Sequence, residues 1–280
     1  MDIQTTKIVT DSSADVMSLA DVAFESAPLK IITADREYVD DNNLDVEGMV
    51  NDLAAYRGKS STSCPNPEDW LRAFGDAEHV FCVTITGTLS GSYNAAMVAK
   101  KTYEEAHPDR RVFVLNSLST GPEMALAIDK MRELILAGKE FDEICESINQ
   151  YSQKTGLLFM LESMRNLANN GRVSPIVAKM AGLLGIRVVA KASDKGDIEP
   201  LNKCRGEKKA LETLVEHLKN LGLKEGRVRI AHCFNEPAAI ALRELIQKNF
   251  ARVQVELTRC RGLCSFYAER GGMLVGFEKA

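Results

Sequence analysis

Val80 to Ala99 reads VFCVTITGTLSGSYNAAMVA. Val80–Ile85 is apolar and β-branched and stops at a Thr86-Gly87-Thr88 turn, the pattern of a short buried strand. Ser90-Gly91-Ser92 then opens a helical pattern whose packing face is expected from Tyr93, Ala96, Met97 and Val98. A strand feeding a Gly/Ser turn and a helix is an α/β crossover. The first N–H groups of such a helix lack partners within it, and its macrodipole places partial positive charge there. Ser90 and Ser92 add hydroxyl donors, and Gly91 lets an anion approach the backbone. The turn thus suits a carboxylate or a phosphate. The same residues also read as a plain Ser N-cap.

Upstream, Lys7–Thr10 is a β run ending in Asp11-Ser12-Ser13-Ala14-Asp15. Downstream, Arg111–Leu115 is another, ending in Asn116-Ser117-Leu118-Ser119-Thr120-Gly121 before a helix from Pro122 to Leu136 closed by Gly138. A further helix spans Phe141 to about Gln153. This alternation argues a doubly wound, mainly parallel sheet. Three strands delivering small hydroxyl residues to one edge make a composite polar site where ligands of open α/β sheets bind. Ser60–Pro67 is a further hydroxyl-rich loop, in which Pro65 and Pro67 restrict Thr62 and Ser63. Asn66 and Pro67 read as N-cap and first position of a helix through Trp70, Leu71 and Phe74. Phe24–Val39 reads as a β-hairpin around Thr33–Arg36, and Leu44–Tyr56 as a helix. Asp40-Asp41-Asn42-Asn43 lacks the ligand register of a calcium loop and reads as a solvated turn.

The character changes near Gly156. Leu157–Leu161 reads as a strand, Glu162–Ala168 as a helical turn or two closed by Asn169-Asn170-Gly171. Ser174 and Pro175 cap an apolar helix carrying Ile176, Val177, Met180, Leu183 and Leu184, which suits a core or the wall of a lipid tunnel. Arg187–Ala192 and Ile198–Cys204 form a hairpin about Asp194–Asp197. Helix Glu207–Leu221, strand Val228–Phe234, helix Pro237–Phe250, strand Val253–Thr258 and strand Met273–Glu278 complete a mixed-sheet α/β unit. The expected organisation is two α/β domains, 1–155 and 156–280, which 280 residues accommodate.

The net charge of −4 leaves no basic excess for nucleic acid. Met1–Thr6 is polar, without a charged-then-apolar leader. No apolar run reaches the roughly 18 residues that cross a bilayer, so a cytoplasmic protein is expected. The seven cysteines include no C-x-x-C pair, and Cys260 and Cys264 have no neighbouring His, so neither a metal site nor a disulfide is expected.

The hydroxyl loops contain none of the four histidines, and G-x-S-x-G, G-x-G-x-x-G and P-loop patterns are absent. Such a site holds an anion without attacking it. The rival is a serine-dependent enzyme acting on acyl or phosphorylated substrates, with Ser90 or Ser63 as nucleophile and His232, Tyr267 or Lys191 as base.

Five motifs in order resemble the DegV family of bacterial lipid-binding proteins. They are Ile8-Val9-Thr10-Asp11-Ser12-Ser13-Ala14-Asp15, Thr62-Ser63-Cys64-Pro65-Asn66-Pro67, Leu89-Ser90-Gly91-Ser92-Tyr93, Asn116-Ser117 and Asn170-Gly171-Arg172-Val173-Ser174. The resemblance covers nearly the whole chain and implies a long-chain fatty acid buried between two α/β domains, as ligand and without a cofactor. It implies that Thr62, Ser63 and Ser90 hold the carboxylate, with Gly91, Ser92, Ser117, Arg172 and Tyr267 completing the site. It also implies a non-catalytic role beside an ATP-binding fatty acid kinase subunit. Two positions depart from the family pattern. Asn116 stands where an Asp is usual, and Tyr267 falls at or near a usual His, a change that lipid binding survives better than kinase partnership does.

Overall fold

The computed structural model describes residues 1–179, 181 and 185–280. In the first part the strands are Thr6–Asp11 (β1), Ala23–Ala27 (β2), Lys30–Ile32 (β3), Glu37–Val39 (β4), Ser61–Ser63 (β5), His79–Thr84 (β6) and Arg111–Asn116 (β7). Between and after them run helices Val46–Ala55 (α1), Pro67–Phe74 (α2), Ser92–Ala106 (α3), Pro122–Leu136 (α4) and Phe141–Ser152 (α5). The four-stranded sheet has the order β2-β1-β6-β7, and every pairing in it is parallel. One face packs Val9, Val80 and Cys82 against Trp70, Phe74, Ala96 and Tyr103 of α2 and α3. The other packs Ile8, Phe81 and Val83 against Met124, Ile128 and Ile144 of α4 and α5. Helices on both faces explain why the central strand β6 is buried without alternation from Val80 to Thr84, while the edge strand β2 alternates.

Three local readings need correction. The hairpin is only β3–β4, whereas β2 pairs in parallel with β1. Thr62 and Ser63 lie on β5, which pairs antiparallel with β3, so the hydroxyl-rich loop is partly a sheet edge. On α3 the buried residues are Ser92, Ala96, Ala99 and Tyr103, while Met97 and Val98 are 38% and 54% exposed. The stripe advances by four, three and four residues, and positions 97 and 98 fall off it.

The second part contains Thr155–Leu161 (β8), Arg165–Asn169 (α6), Pro175–Ala178 (α7), Ile186–Ala192 (β9), Ile198–Arg205 (β10) and Glu207–Asn220 (α8). It continues with Glu225–His232 (β11), Glu236–Asn249 (α9), Arg252–Arg259 (β12), Gly262–Ala268 (α10) and Met273–Glu278 (β13). The six-stranded sheet, β10-β9-β8-β13-β11-β12, is mixed, with β11–β12 parallel and the other pairs antiparallel. Its outer face carries α8 and α9. Ile176 is 81% exposed and so is not core. Met180, Leu183 and Leu184 lie outside the described residues.

Every strand of the six-stranded sheet follows Lys154, but packing crosses that line. Helix α4 contributes Met124 and Ile128 to the first core, while its Asp129 and Glu133 pair with Arg229 and Arg227 on β11. Helix α10 reaches the other way, packing against α1 and β3. The inner face of the second sheet and the hydroxyl edge of the first therefore face a common space.

Candidate functional site

The hydroxyl edge is organised by Asp11, the last residue of β1, which is fully buried. Its carboxylate accepts from the Ser13 N–H and hydroxyl, from Ile85 N at 2.9 Å and from Ser92 Oγ at 2.6 Å. Burial pushes the Asp11 carboxyl above its ordinary pKa, and these hydrogen bonds pull it back. The start of α3, expected to meet an outside anion through Ser92, instead meets the protein's own carboxylate. Ser92 is completely buried and does not line the adjoining cavity. Ser117 is also spent internally, donating to Ser119 O at 3.2 Å and accepting from Ser119 N at 3.1 Å. It too lies off the cavity wall.

The cavity, of about 290 Å³, lies between the two sheets. Thr62, Ser63, Ser90, Gly91, Arg172 and Tyr267 line it together, brought from β5, the turn before α3, the loop after α6, and α10. Most of the remaining wall is apolar, with Leu157, Phe159 and Leu161 from β8, Leu274 from β13 and Leu263 from α10. The strand period of two explains the β8 wall. Residues 157, 159 and 161 share one face, and Leu158 and Met160 face the outer core.

Arg172 follows Gly171, whose φ of +73° lets the chain turn back toward the first part. Its Nε donates to Leu89 O at 3.2 Å and its Nη1 to Asn170 O. Carbonyls neutralise no charge, so among the described residues the guanidinium keeps its full charge for a ligand. Tyr267 and Thr62 share a hydrogen bond of 2.8 Å between their hydroxyls, joining α10 to β5. Burial raises the Tyr267 pKa, so the phenol is neutral at physiological pH.

Among the described residues no His lines the cavity. His232 Nδ1 accepts from Asn235 N at 3.2 Å, and burial lowers the pKa of its ring. Ser90 Oγ accepts from Ser92 N at 3.3 Å. A Ser90 or Ser63 nucleophile has neither His232 nor Lys191 in the cavity wall to activate it; the third candidate base, Tyr267, lines the wall with its hydroxyl bonded to Thr62.

Asp40 corrects the reading of residues 40–43 as a solvated turn. It is completely buried and accepts from Gly262 N and Leu263 N, each at 2.9 Å. Asp15 Oδ1 accepts from Arg261 N at 3.0 Å. These carboxylates fix the start of α10, the helix that presents Leu263 and Tyr267 to the cavity. Burial raises both pKa values, Asp15 to about 8. Sequence reasoning missed α10 and both roles. The apolar spacing of Leu263, Cys264 and Phe266 was the available signal for the helix. Asp40 gave none, since its partners lie more than 200 residues away.

The DegV family model, described as an uncharacterised protein family, matches residues 5–279. A DegV domain-containing protein of Streptococcus pneumoniae is 44% identical over 278 residues, covering 98% of this chain and 99% of that protein. The chain belongs to the DegV family. A DegV protein of Eubacterium eligens, its crystal structure loaded with heptadecanoic acid, is 42% identical with a TM-score of 0.96, covering 98% of this chain and all of that one. The Fatty Acid Kinase (Fak) B3 protein of Streptococcus pneumoniae, loaded with linoleic acid, is 43% identical with a TM-score of 0.96, covering 98% and 99%. In this DegV chain Asn116 Oδ1 accepts from Gly87 N at 3.0 Å and Leu118 N at 3.3 Å, linking two hydroxyl turns. Among the described residues no helix is long and apolar enough to cross a membrane, and no cluster of His, Cys, Asp and Glu forms a metal site. The seven cysteines are free.

Proposed function

We propose that this DegV chain binds one long-chain fatty acid, non-catalytically and in the cytoplasm. The carboxylate lies at Thr62, Ser63, Ser90, Gly91, Arg172 and Tyr267, and the tail lies along Leu157, Phe159, Leu161 and Leu274. The observation that carries this reading is one cavity with an uncompensated guanidinium and hydroxyls at one side and aliphatic walls elsewhere. Charge-assisted hydrogen bonds suit an ionised acid, and each buried CH₂ adds roughly 0.8 kcal/mol, enough for a long chain to remain bound through purification. The acid-loaded structures of the 42% and 43% identical relatives support the ligand class. The kinase name of the second supports a role in presenting the carboxylate to an ATP-binding subunit. The units 1–155 and 156–280 then act as two lobes around the ligand.

Denaturing extraction with mass spectrometry, paired with native mass spectrometry, tests the reading. The expected result is one long-chain fatty acid per chain. A protein that is empty as purified and takes up no added fatty acid would sink it. For the kinase role, acyl phosphate should form from ATP only when an ATP-binding kinase subunit is added.

A further inference from the structure

We infer that the tip of the β9–β10 hairpin, residues 193–198, is a strap over the cavity that undocks as a unit to let the ligand exchange. The inference rests on the fatty-acid reading above. Gly196, Asp197 and Ile198 form cavity wall, and so do Thr86 and Leu118 of the first part. The two sets meet across the space between the sheets. Thr88 Oγ1 donates to Lys195 O at 2.6 Å, the one hydrogen bond among the described residues that joins 193–198 to the first part. Beside it, Gly196 has φ +82°, and a Cβ there would overlap Thr86 Oγ1 and come within 3.2 Å of Leu118 Cα. Glycine is therefore required both by the backbone angle and by the close approach.

The tip is built to survive release. Ser193 N donates to Asp197 O and Gly196 N to Ser193 O, while Ser193 Oγ accepts from Lys195 N and Asp197 N at 3.2 and 3.1 Å. None of these bonds depends on docking. Asp194, Lys195 and Asp197 are already exposed, so the released tip carries its own solvated surface. The bend point is at its base, the last ladder pair Ile198–Ala192, beyond the β8 pairing of β9 and on the edge of the sheet. Swinging the tip about this pair breaks one hydrogen bond and the Gly196 contact with Thr86 and Leu118, and lifts Ile198 partly off the inner apolar cluster, leaving the rest of the six-stranded ladder intact.

The test is displacement of a fluorescent long-chain fatty acid by excess unlabelled acid, followed by stopped flow. Thr88→Val should speed dissociation about fivefold, the worth of one net hydrogen bond, with the melting temperature lowered by no more than about 4 °C. Gly196→Ala should speed it further. Lys195→Ala, which keeps the backbone carbonyl, should match the parent. Parent-like rates in both Thr88→Val and Gly196→Ala would overturn the strap, as would an equal change in Lys195→Ala. If Gly196→Ala does not fold, Thr88→Val decides alone. Should the parent bind no fatty acid, the fatty-acid reading fails separately. Backbone relaxation dispersion then judges the strap, with Thr88→Val expected to increase the exchange contribution at residues 193–198 but not at 188–190. Equal dispersion in parent and variant would reject it.

Discussion

The two sides of the cavity are held in shape by different physics. At the hydroxyl edge, Asp11 alone gathers donors from Ser13, Ile85 and Ser92, tying β1, the end of β6 and α3 together. On the opposite wall, Leu157, Phe159 and Leu161 are placed by strand alternation and hold nothing but volume. Deleting one partner from a buried polar network leaves the others unsatisfied, whereas trimming an aliphatic wall beside a cavity removes only contacts on one side. The polar edge should therefore be brittle in stability and the apolar wall forgiving.

Asp11→Ala gives the largest expected effect. It strands several buried donors and should cost about 3–5 kcal/mol of folding stability, read as a lower urea midpoint. Leu157→Ala sharpens the contrast. Because one side of Leu157 already faces open space, its loss should fall near or below the ~2 kcal/mol lower bound for filled cores. A reversed order of these two variants would break the comparison.

Arg172→Leu comes next and acts on the ligand. Losing hydrogen bonds from a charged donor should weaken binding of a long-chain acid about 10–100-fold. The affinity for the matching fatty alcohol should stay within about twofold, because an uncharged head has no carboxylate for the guanidinium to hold. An equal loss for both ligands would assign Arg172 to cavity shape. The pH profile follows from the other head-group candidate. Tyr267 has a raised pKa, so it is neutral below its ordinary value of about 10. Repulsion between a phenolate and a carboxylate begins only above that. Acid affinity should be level from pH 5.5 to 7, below the titration of Asp15 at about 8, by titration calorimetry, and Tyr267→His should introduce a slope there, with binding tighter as pH falls.

These contrasts also show what the sequence made legible. Strands β6 and β7 of the parallel sheet were readable because each is a short β run followed by a turn and a helix, whereas the edge strand β2, half exposed and followed by β3, was read as part of a hairpin. The mixed sheet was readable from its hairpin and alternating helices. The resemblance to DegV proteins supplied the choice among hydroxyls that local pattern left open. What escaped was set by long-range satisfaction. Asp40 looks like any acidic turn until Gly262 and Leu263 arrive from the other end of the chain. Ser92 looks like a ligand donor until Asp11 takes its proton donor from below. The exposure of Met97 and Val98 follows from the phase of one helix, which a few apolar residues in a short window do not fix.

The smallest effects separate hydroxyls that face the cavity from those that serve the scaffold. Ser90 lines the cavity, and Ser117 sits on the same polar edge but closes its own turn against Ser119. Ser90→Ala should weaken acid binding about fivefold, the loss of one net hydrogen bond, with little change in stability. Ser117→Ala should leave acid affinity within about twofold and lower stability by no more than about 1 kcal/mol, because its hydroxyl serves only a local turn. Both come from one titration series with a fluorescent acid and one melting series. If Ser117→Ala weakens the ligand as much as Ser90→Ala, the carboxylate reaches the third hydroxyl turn. The head group would then span the ends of β6 and β7 instead of resting between β5 and α3.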